Sequence, residues 1–218
     1  AHLIFNLPTS NAGLFHKNGK TNYFVPTGHL KSWASGSFGC VRNNGQRMHE
    51  GVDIRPLTHN SKGEPLDVVR ATADGTVAFF NVHPNASSYG KYIVLIHNDE
   101  GLEIYSLYAH LSVITDTLKL GALVKAGETL GVMGRTANHD IPAKRSHLHF
   151  EIGLVGSYDF KAWVAKYYKD PNFNKFGLWH GYNLLGFNPT DILIKQQKLT
   201  GKFSIAEHIA GRPALIQL

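Results

Sequence analysis

From Trp33 onward the chain is written in short apolar segments punctuated by glycine, with little of the three-to-four spacing of a helix. Residues 75–82 (GTVAFFNV) read as a strand. Residues 91–97 (KYIVLIH) form the continuous apolar run of a buried strand, and residues 102–110 follow as its hairpin partner across a turn at Asn98-Asp99-Glu100-Gly101. Residues 120–134 alternate glycine and β-formers around a turn at Lys125-Ala126-Gly127-Glu128, and residues 147–153 make another strand. Hairpins in succession, with hardly any helix between them, predict a mainly β fold built on an antiparallel sheet.

The flanks are patterned differently. Residues 1–32 scatter Asn, Gly, Pro and Thr among single apolar residues and predict loop. Phe160, Trp163, Val164, Tyr167 and Tyr168 fall on one stripe of an amphipathic helix, with Asp159 placed to cap it. Residues 154–186 hold nine of the 24 aromatic side chains, a density that points to packing on the sheet more than to stacking on sugars or peptide. No repeat, low-complexity tract or Gly/Ser linker marks a second domain.

A hydrophobic share of 43% with 11% aromatic residues excludes wholesale disorder. No apolar run approaches the ~20 residues of a transmembrane helix; the longest clean one is Tyr92 to Ile96. The net charge of +6 sits in the second half of the chain, as scattered lysines. Such a surface suits nucleic acid, anionic lipid, an anionic wall polymer, or solubility alone. Nucleic acid is set aside, because no helix-turn-helix, zinc-finger or basic-aromatic strand text accompanies the charge. The start at Ala1, without a charged-then-apolar leader, fits a mature exported protein or a trimmed chain.

Cys40 is the single cysteine, so an internal disulfide and a cysteine-held zinc are both excluded. The thirteen histidines are the loudest feature of the composition. Two spacings carry geometry: His49 with Asp53, and His147 with His149. Side chains two or four apart on a strand share a face, so each pair projects together, the first from a strand or from an extended segment loosened by Gly51. Three ligands from two strands, with a fourth position left to water, is how catalytic zinc is held. Chance alone yields roughly 0.8 His-x-His pairs in such a composition, so the neighbouring residues must decide.

Those neighbours resemble the lysostaphin/LytM-type zinc endopeptidases of peptidase family M23. The resemblance begins at Phe38-Gly39-Cys40-Val41-Arg42 and His49-Glu50-Gly51-Val52-Asp53-Ile54, and continues through Ala73-Asp74-Gly75-Thr76-Val77. It runs on through Tyr89 to His97, Tyr108-Ala109-His110-Leu111-Ser112 and Val124 to Gly131. It closes on Ser146-His147-Leu148-His149-Phe150-Glu151-Ile152, with Asn188-Pro189 and Ile192-Leu193 as the exit. Six segments in the family's order span residues 33–193, which leaves 1–32 and 194–218 as extensions and 154–186 as an aromatic insert.

The resemblance implies a small antiparallel sheet with a loop-closed cleft and a short helical embellishment after the last core strand. It implies one zinc per chain on His49, Asp53 and His149, with His147 and His110 flanking the metal-bound water that attacks the peptide. His147 is taken as the base and His110 as the group serving the oxyanion or leaving amine, roles the two could exchange. The implied activity is cleavage of stem or cross-bridge peptides of bacterial peptidoglycan, outside the cytoplasm. A second reading keeps fold and zinc but makes the cleft a non-catalytic module that binds wall peptides or regulates an amidase; intact His110 and His147 speak against it. A biotinyl- or lipoyl-type carrier hairpin at 120–134 lacks the residues that would flank its attachment lysine.

The chain departs from the family at residues 136–146, where a long basic loop replaces a Gly-rich stretch. That loop is expected to wall the cleft, with Lys144 and Arg145 either pairing with a substrate carboxylate or simply solvated. Residues 1–32 either cover the cleft or wrap the sheet. His2, His16, His29, His59, His83, His180 and His208 have no partner at ligand spacing. His97 is expected in the core or at a strand end, His139 along the cleft, and Cys40 as a small buried side chain. No nucleophile elbow or paired glycosidase carboxylates offer a competing chemistry.

Overall fold

The structure, a computed structural model, describes residues 2–27, 31–170, 172–199 and 202–211; His29 lies outside them, as do parts of both extensions. Among the described residues, twelve strands follow in order: β1 (Val41–Arg42), β2 (Arg47–Met48), β3 (Val52–Ile54), β4 (Val68–Arg70), β5 (Gly75–Asn81) and β6 (Tyr92–Asp99). They continue as β7 (Leu102–Ala109), β8 (Val113–Ile114), β9 (Leu123–Val124), β10 (Thr129–Val132), β11 (Leu148–Val155) and β12 (Leu184–Phe187). The α-helices are short: α1 (Lys20–Tyr23), α2 (Phe160–Tyr167), α3 (Pro189–Leu199) and α4 (Ile205–Ala210). The mainly β, antiparallel class follows directly. Among the described residues no helix is long and apolar enough to cross a membrane.

The main sheet runs β12-β11-β7-β6-β5-β9, with β3 on the same edge of β11 as β12. Alternation along the central strands gives this sheet two apolar faces. Ile93, Leu95, Ile104 and Tyr108 face one cluster, where Phe5, Leu14, Tyr23 and Phe24 of the N-terminal segment join Ile192 and Leu193 of α3. Tyr92, Val94, Tyr105 and Leu107 face the other, covered by Leu184 and by Phe176 and Trp179 from the aromatic insert. The N-terminal segment also pairs with the sheet: Phe24 bridges Ile54, and Val25 N–H donates to Asp53 O at 2.9 Å. Two-sided cover leaves little of the central strands in water.

Three local expectations are corrected. The β6–β7 hairpin turns on two residues rather than four, because Glu100 and Gly101 both adopt positive φ (54° and 92°) and let Asp99 pair with Leu102. Residues 120–134 do not close a hairpin: β9 pairs with β5, whereas β10 joins the separate sheet β4-β10-β8. The turn between them is held from outside, with Ala126 N–H on Asp74 Oδ1 and Gly127 N–H on Ala71 O. In α2 only Phe160 and Val164 are buried, while Trp163 and Tyr167 stay exposed; Trp163 stacks on Phe160 and meets the Tyr167 ring at a tilt. Asp159 sits at the cap position but makes no side-chain capping bond.

His97 lies on β6 and is 1% exposed. Its Nδ1–H donates to Asp74 O (2.7 Å), and its Nε2 accepts from Ser106 Oγ (2.7 Å). Burial holds its pKa below the ordinary value of 6.5, against the smaller pull of Asp74, so the ring folds neutral. The unfolded chain therefore binds a proton that the native state refuses, and stability falls as pH drops below about 6.5 by up to ~1.4 kcal/mol per pH unit. Urea unfolding at pH 7 and pH 5 checks this: His97→Gln should lose less stability on acidification than the parent chain.

Candidate active site

Asp53 and His149 are cross-strand partners on β3 and β11, so the register itself sets them face to face. His49 precedes β3 on an extended segment that runs tight along β11. A Cβ on Gly51 would lie 2.5 Å from Phe150 O and 3.0 Å from His149 Nε2, so only glycine lets the segment pass that close. As a result His49 Nε2, Asp53 Oδ1 and His149 Nδ1 form a triangle with sides of 3.1, 3.1 and 3.2 Å. All three residues are buried.

His110 and His147 flank this triangle. His147 comes one residue before β11, with Nε2 3.5 Å from Asp53 Oδ1. His110 comes one residue after β7, at φ 63°, a left-handed conformation that a non-glycine residue adopts only when held there. Its own N–H donates to Tyr89 O (2.9 Å). The His110 and His147 rings meet edge to face with centroids 4.7 Å apart.

Each imidazole is hydrogen-bonded from behind. His49 Nδ1–H donates to Ser37 O (2.9 Å), His110 Nδ1–H to Thr136 O (2.8 Å) and His147 Nδ1–H to Arg145 O (2.7 Å). His149 Nε2–H donates to Glu151 Oε1 (2.8 Å). A carbonyl can only accept, so these partners fix which nitrogen of each ring points outward and leave the opposite nitrogen aimed inward, as a lone pair wherever the ring is neutral. The second oxygen of Asp53 accepts from Thr27 Oγ1 and, at 3.0 Å, from Arg42 Nη2, which also reaches Ser35 O.

Burial pushes the Asp53 carboxyl up, but the surrounding His49, His147 and His149 outweigh it and hold the group well below its usual range. Burial lowers His110 well below the ordinary histidine value, reinforced by its histidine neighbours, and lowers His147 against the pull of Asp53. His149 goes the other way, to about 9: burial disfavours its charge, but Asp53 and Glu151 on its two nitrogens prevail. An incoming cation must displace that proton.

The donor set tests well against zinc. Two imidazole nitrogens and one carboxylate oxygen are borderline-soft ligands of the kind zinc takes, all within 4.8 Å of one another. Tetrahedral bonds of 2.0–2.1 Å imply ligand separations of about 3.3 Å. The triangle is close to that size without rearrangement.

A profile of the family described as "Peptidase family M23" matches residues 47–158, just over half of the chain and including all five of these side chains. The chain belongs to peptidase family M23. Solved structures similar to it include a zinc-containing peptidase from Vibrio cholerae (26% identity, TM-score 0.44), over 69% of this chain and 37% of that one. The catalytic domain of the antimicrobial peptidase lysostaphin from Staphylococcus simulans matches at 22% identity and TM-score 0.46, over 82% of this chain and 98% of that one. Csd3 from Helicobacter pylori matches at 19% identity and TM-score 0.43, over 98% and 45% respectively. The chain thus spans little more than a third of the Vibrio protein. No curated protein gave a match.

In this M23 chain the five histidine and aspartate side chains sit at the floor of an open cleft of about 660 Å³. The β1–β2 hairpin lines one side through Arg42 and Arg47, and the loop 136–146 lines the other through His139, Ile141 and Arg145. Lys144 is exposed. Cys40 is half-buried on the cleft, a correction to the buried position expected of it, because β1 stands at the rim and not in the core. Reading the sequence missed Thr27 and Tyr105 as partners of the site, and quoted Arg42 and Tyr89 within the family-like segments without giving them a role. Glu151 was quoted within the closing signature, and its place two residues after His149, on the same strand face, was the available signal.

Gly51→Ala tests the close approach. The added methyl must push the His49 segment off β11, which should cost about 1–3 kcal/mol of stability, as overpacking generally does. A lower urea midpoint together with weaker zinc uptake by the folded variant is the expected result.

Proposed function

We propose that this M23 chain is a zinc-dependent endopeptidase, with one ion per chain, that hydrolyses peptide cross-links of bacterial peptidoglycan outside the cytoplasm. The observation that carries the reading is the convergence of the His49–Asp53–His149 triangle with two further tautomer-fixed histidines on one cleft floor. The substrate class and location rest on the family resemblance, and a basic chain is compatible with an anionic wall.

When bound, zinc brings the pKa of a water down to ~7 and polarises the scissile carbonyl. His49, Asp53 and His149 hold the ion, and Thr27 and Arg42 occupy the outer oxygen of Asp53 so that Oδ1 faces inward. His147 presents an Nε2 lone pair beside the triangle, takes the proton of the attacking water there, and returns it from the same atom to the departing amine. His110 also rests with a bare Nε2, because its Nδ1–H is committed to Thr136 O. It therefore serves the oxyanion or the amine only after taking up a proton itself. The open cleft leaves room for an extended peptide between the β1–β2 hairpin and the loop 136–146.

Metal content and digestion of purified peptidoglycan, measured on the parent chain, His147→Ala and His110→Ala, test this. Near one zinc per chain is expected in all three, with new free amines released by the parent and a fall of at least ~10²-fold in each variant. Mapping the released fragments identifies the bond. Zinc in the parent without cleavage would replace the enzyme with a binding module, and a parent without zinc would end the metallopeptidase reading.

A further inference from the structure

Glu151 is wholly buried, at 0% exposure. It lies two residues beyond His149 on β11, so both side chains leave the same face of the strand. Its Oε1 accepts from His149 Nε2–H (2.8 Å) and from the Tyr89 hydroxyl (2.7 Å), and its Oε2 accepts from the Tyr105 hydroxyl (2.7 Å). A carboxylate taken this far from water is costly unless its oxygens are satisfied. Here two phenols and one imidazole satisfy them, and among the described residues no arginine or lysine is within ion-pair distance.

This arrangement excludes Glu151 from direct work on a peptide. Its oxygens are held by donors, and the His149 ring stands between it and the Nδ1 atom that faces Asp53 and His49. What Glu151 reaches is the back of that ring. Tyr89 and Tyr105 are themselves immobilised in the apolar cluster on the insert side of the sheet, so the carboxylate has one available position.

We infer that Glu151, fixed by Tyr89 and Tyr105, is a positioning residue for the metal: it pins His149 as the tautomer whose Nδ1 lone pair faces the ion, and it supplies a second negative charge to the site. Asp53 provides the first charge by direct contact and Glu151 the second through the imidazole, so the two together balance a divalent cation in a buried pocket. Carboxylates placed behind a ligating histidine raise its basicity and hold its orientation, and removing one typically costs 10–100-fold in metal affinity. The inference rests on the zinc reading of the site.

Zinc affinity measured by chelator competition, with urea unfolding of the metal-free proteins, is the test. Glu151→Gln keeps the volume and an acceptor for His149 but removes the charge; Tyr105→Phe keeps the charge but removes one donor, away from the triangle. The parent should bind one zinc. Glu151→Gln should bind it 10–100-fold more weakly, without a matching loss of metal-free stability, and Tyr105→Phe should show a smaller loss in the same direction. Ring nitrogen-15 shifts of His149 in the zinc form should report Nε2 protonated in the parent, and a mixture or a weaker hydrogen bond in Glu151→Gln. Should Glu151→Gln fail to fold, Tyr105→Phe decides, and parent-like zinc affinity in it overturns the inference. Parent-like affinity in a folded Glu151→Gln overturns it too while leaving the zinc reading intact, whereas a parent chain without zinc overturns both.

Discussion

Four buried imidazoles within a few ångströms of one another are tolerable only because each has a fixed acceptor behind it. Ser37 O, Thr136 O, Arg145 O and the Glu151 carboxylate absorb one N–H apiece. Without them the rings would rotate, exchange tautomers and turn donors towards one another in a region with little water to compensate. With them, the inward nitrogens all point into one pocket, where the extra proton of His149 lies between its Nδ1 and Asp53 until a cation takes its place. A cation that displaces this proton meets lone pairs converging around one carboxylate, so the acceptors are what turn four histidines into a metal-seeking arrangement.

The acceptors come from three separate parts of the chain (Ser37 ahead of β1, the two ends of the loop 136–146, and β11 itself), and the main sheet is what brings them into register. The pairing of β11 with β3 places Asp53 opposite His149, and its pairing with β7 places Ala109 there from the other side, leaving His110 just beyond. Because β11 is gripped on both edges and covered on both faces, a ligand on it cannot drift without breaking ladder bonds on two strands. Residues before β3 close the rest. Thr27 and Ser35 sit with Arg42 around the outer oxygen of Asp53, so the N-terminal segment is woven into the site as well as into the core.

The parts of this arrangement that were legible in the sequence are those that obey a local period. Short runs of β-formers bounded by turns identified β5, β6, β7 and β11, and two- and four-residue spacing put His147 with His149 and His49 with Asp53. The rest depends on partners distant in the chain. Nothing local distinguishes β9 and β10 as members of different sheets, since the decision lies with Asp74 and Ala71 gripping the turn between them. The stripe on α2 was correctly periodic, yet Trp163 and Tyr167 stay exposed, because aromatic side chains pack on one another, Trp163 on Phe160 and against Tyr167, as readily as on a sheet. Tyr89, in the turn before β6, and Tyr105, on β7, look like ordinary packing aromatics until Glu151 is placed between their hydroxyls.

Tyr89 shows how the two halves of the site are made to depend on each other. Its hydroxyl holds Glu151, and through it the orientation of His149 on the metal-facing side. Its carbonyl accepts the N–H of His110, the residue held at positive φ on the other side. The next residue, Gly90, has no side chain, and a Cβ there would lie 2.1 Å from Thr136 O, the atom that fixes the His110 ring. Strain at a left-handed histidine is sustainable only if its surroundings over-determine it, and here the backbone bond and the ring bond both trace to the 89–90 dipeptide. A shift at Tyr89 would therefore loosen a proposed ligand and a proposed proton carrier at once. The metal-holding and proton-handling geometries are one mechanical unit rather than two that happen to be adjacent.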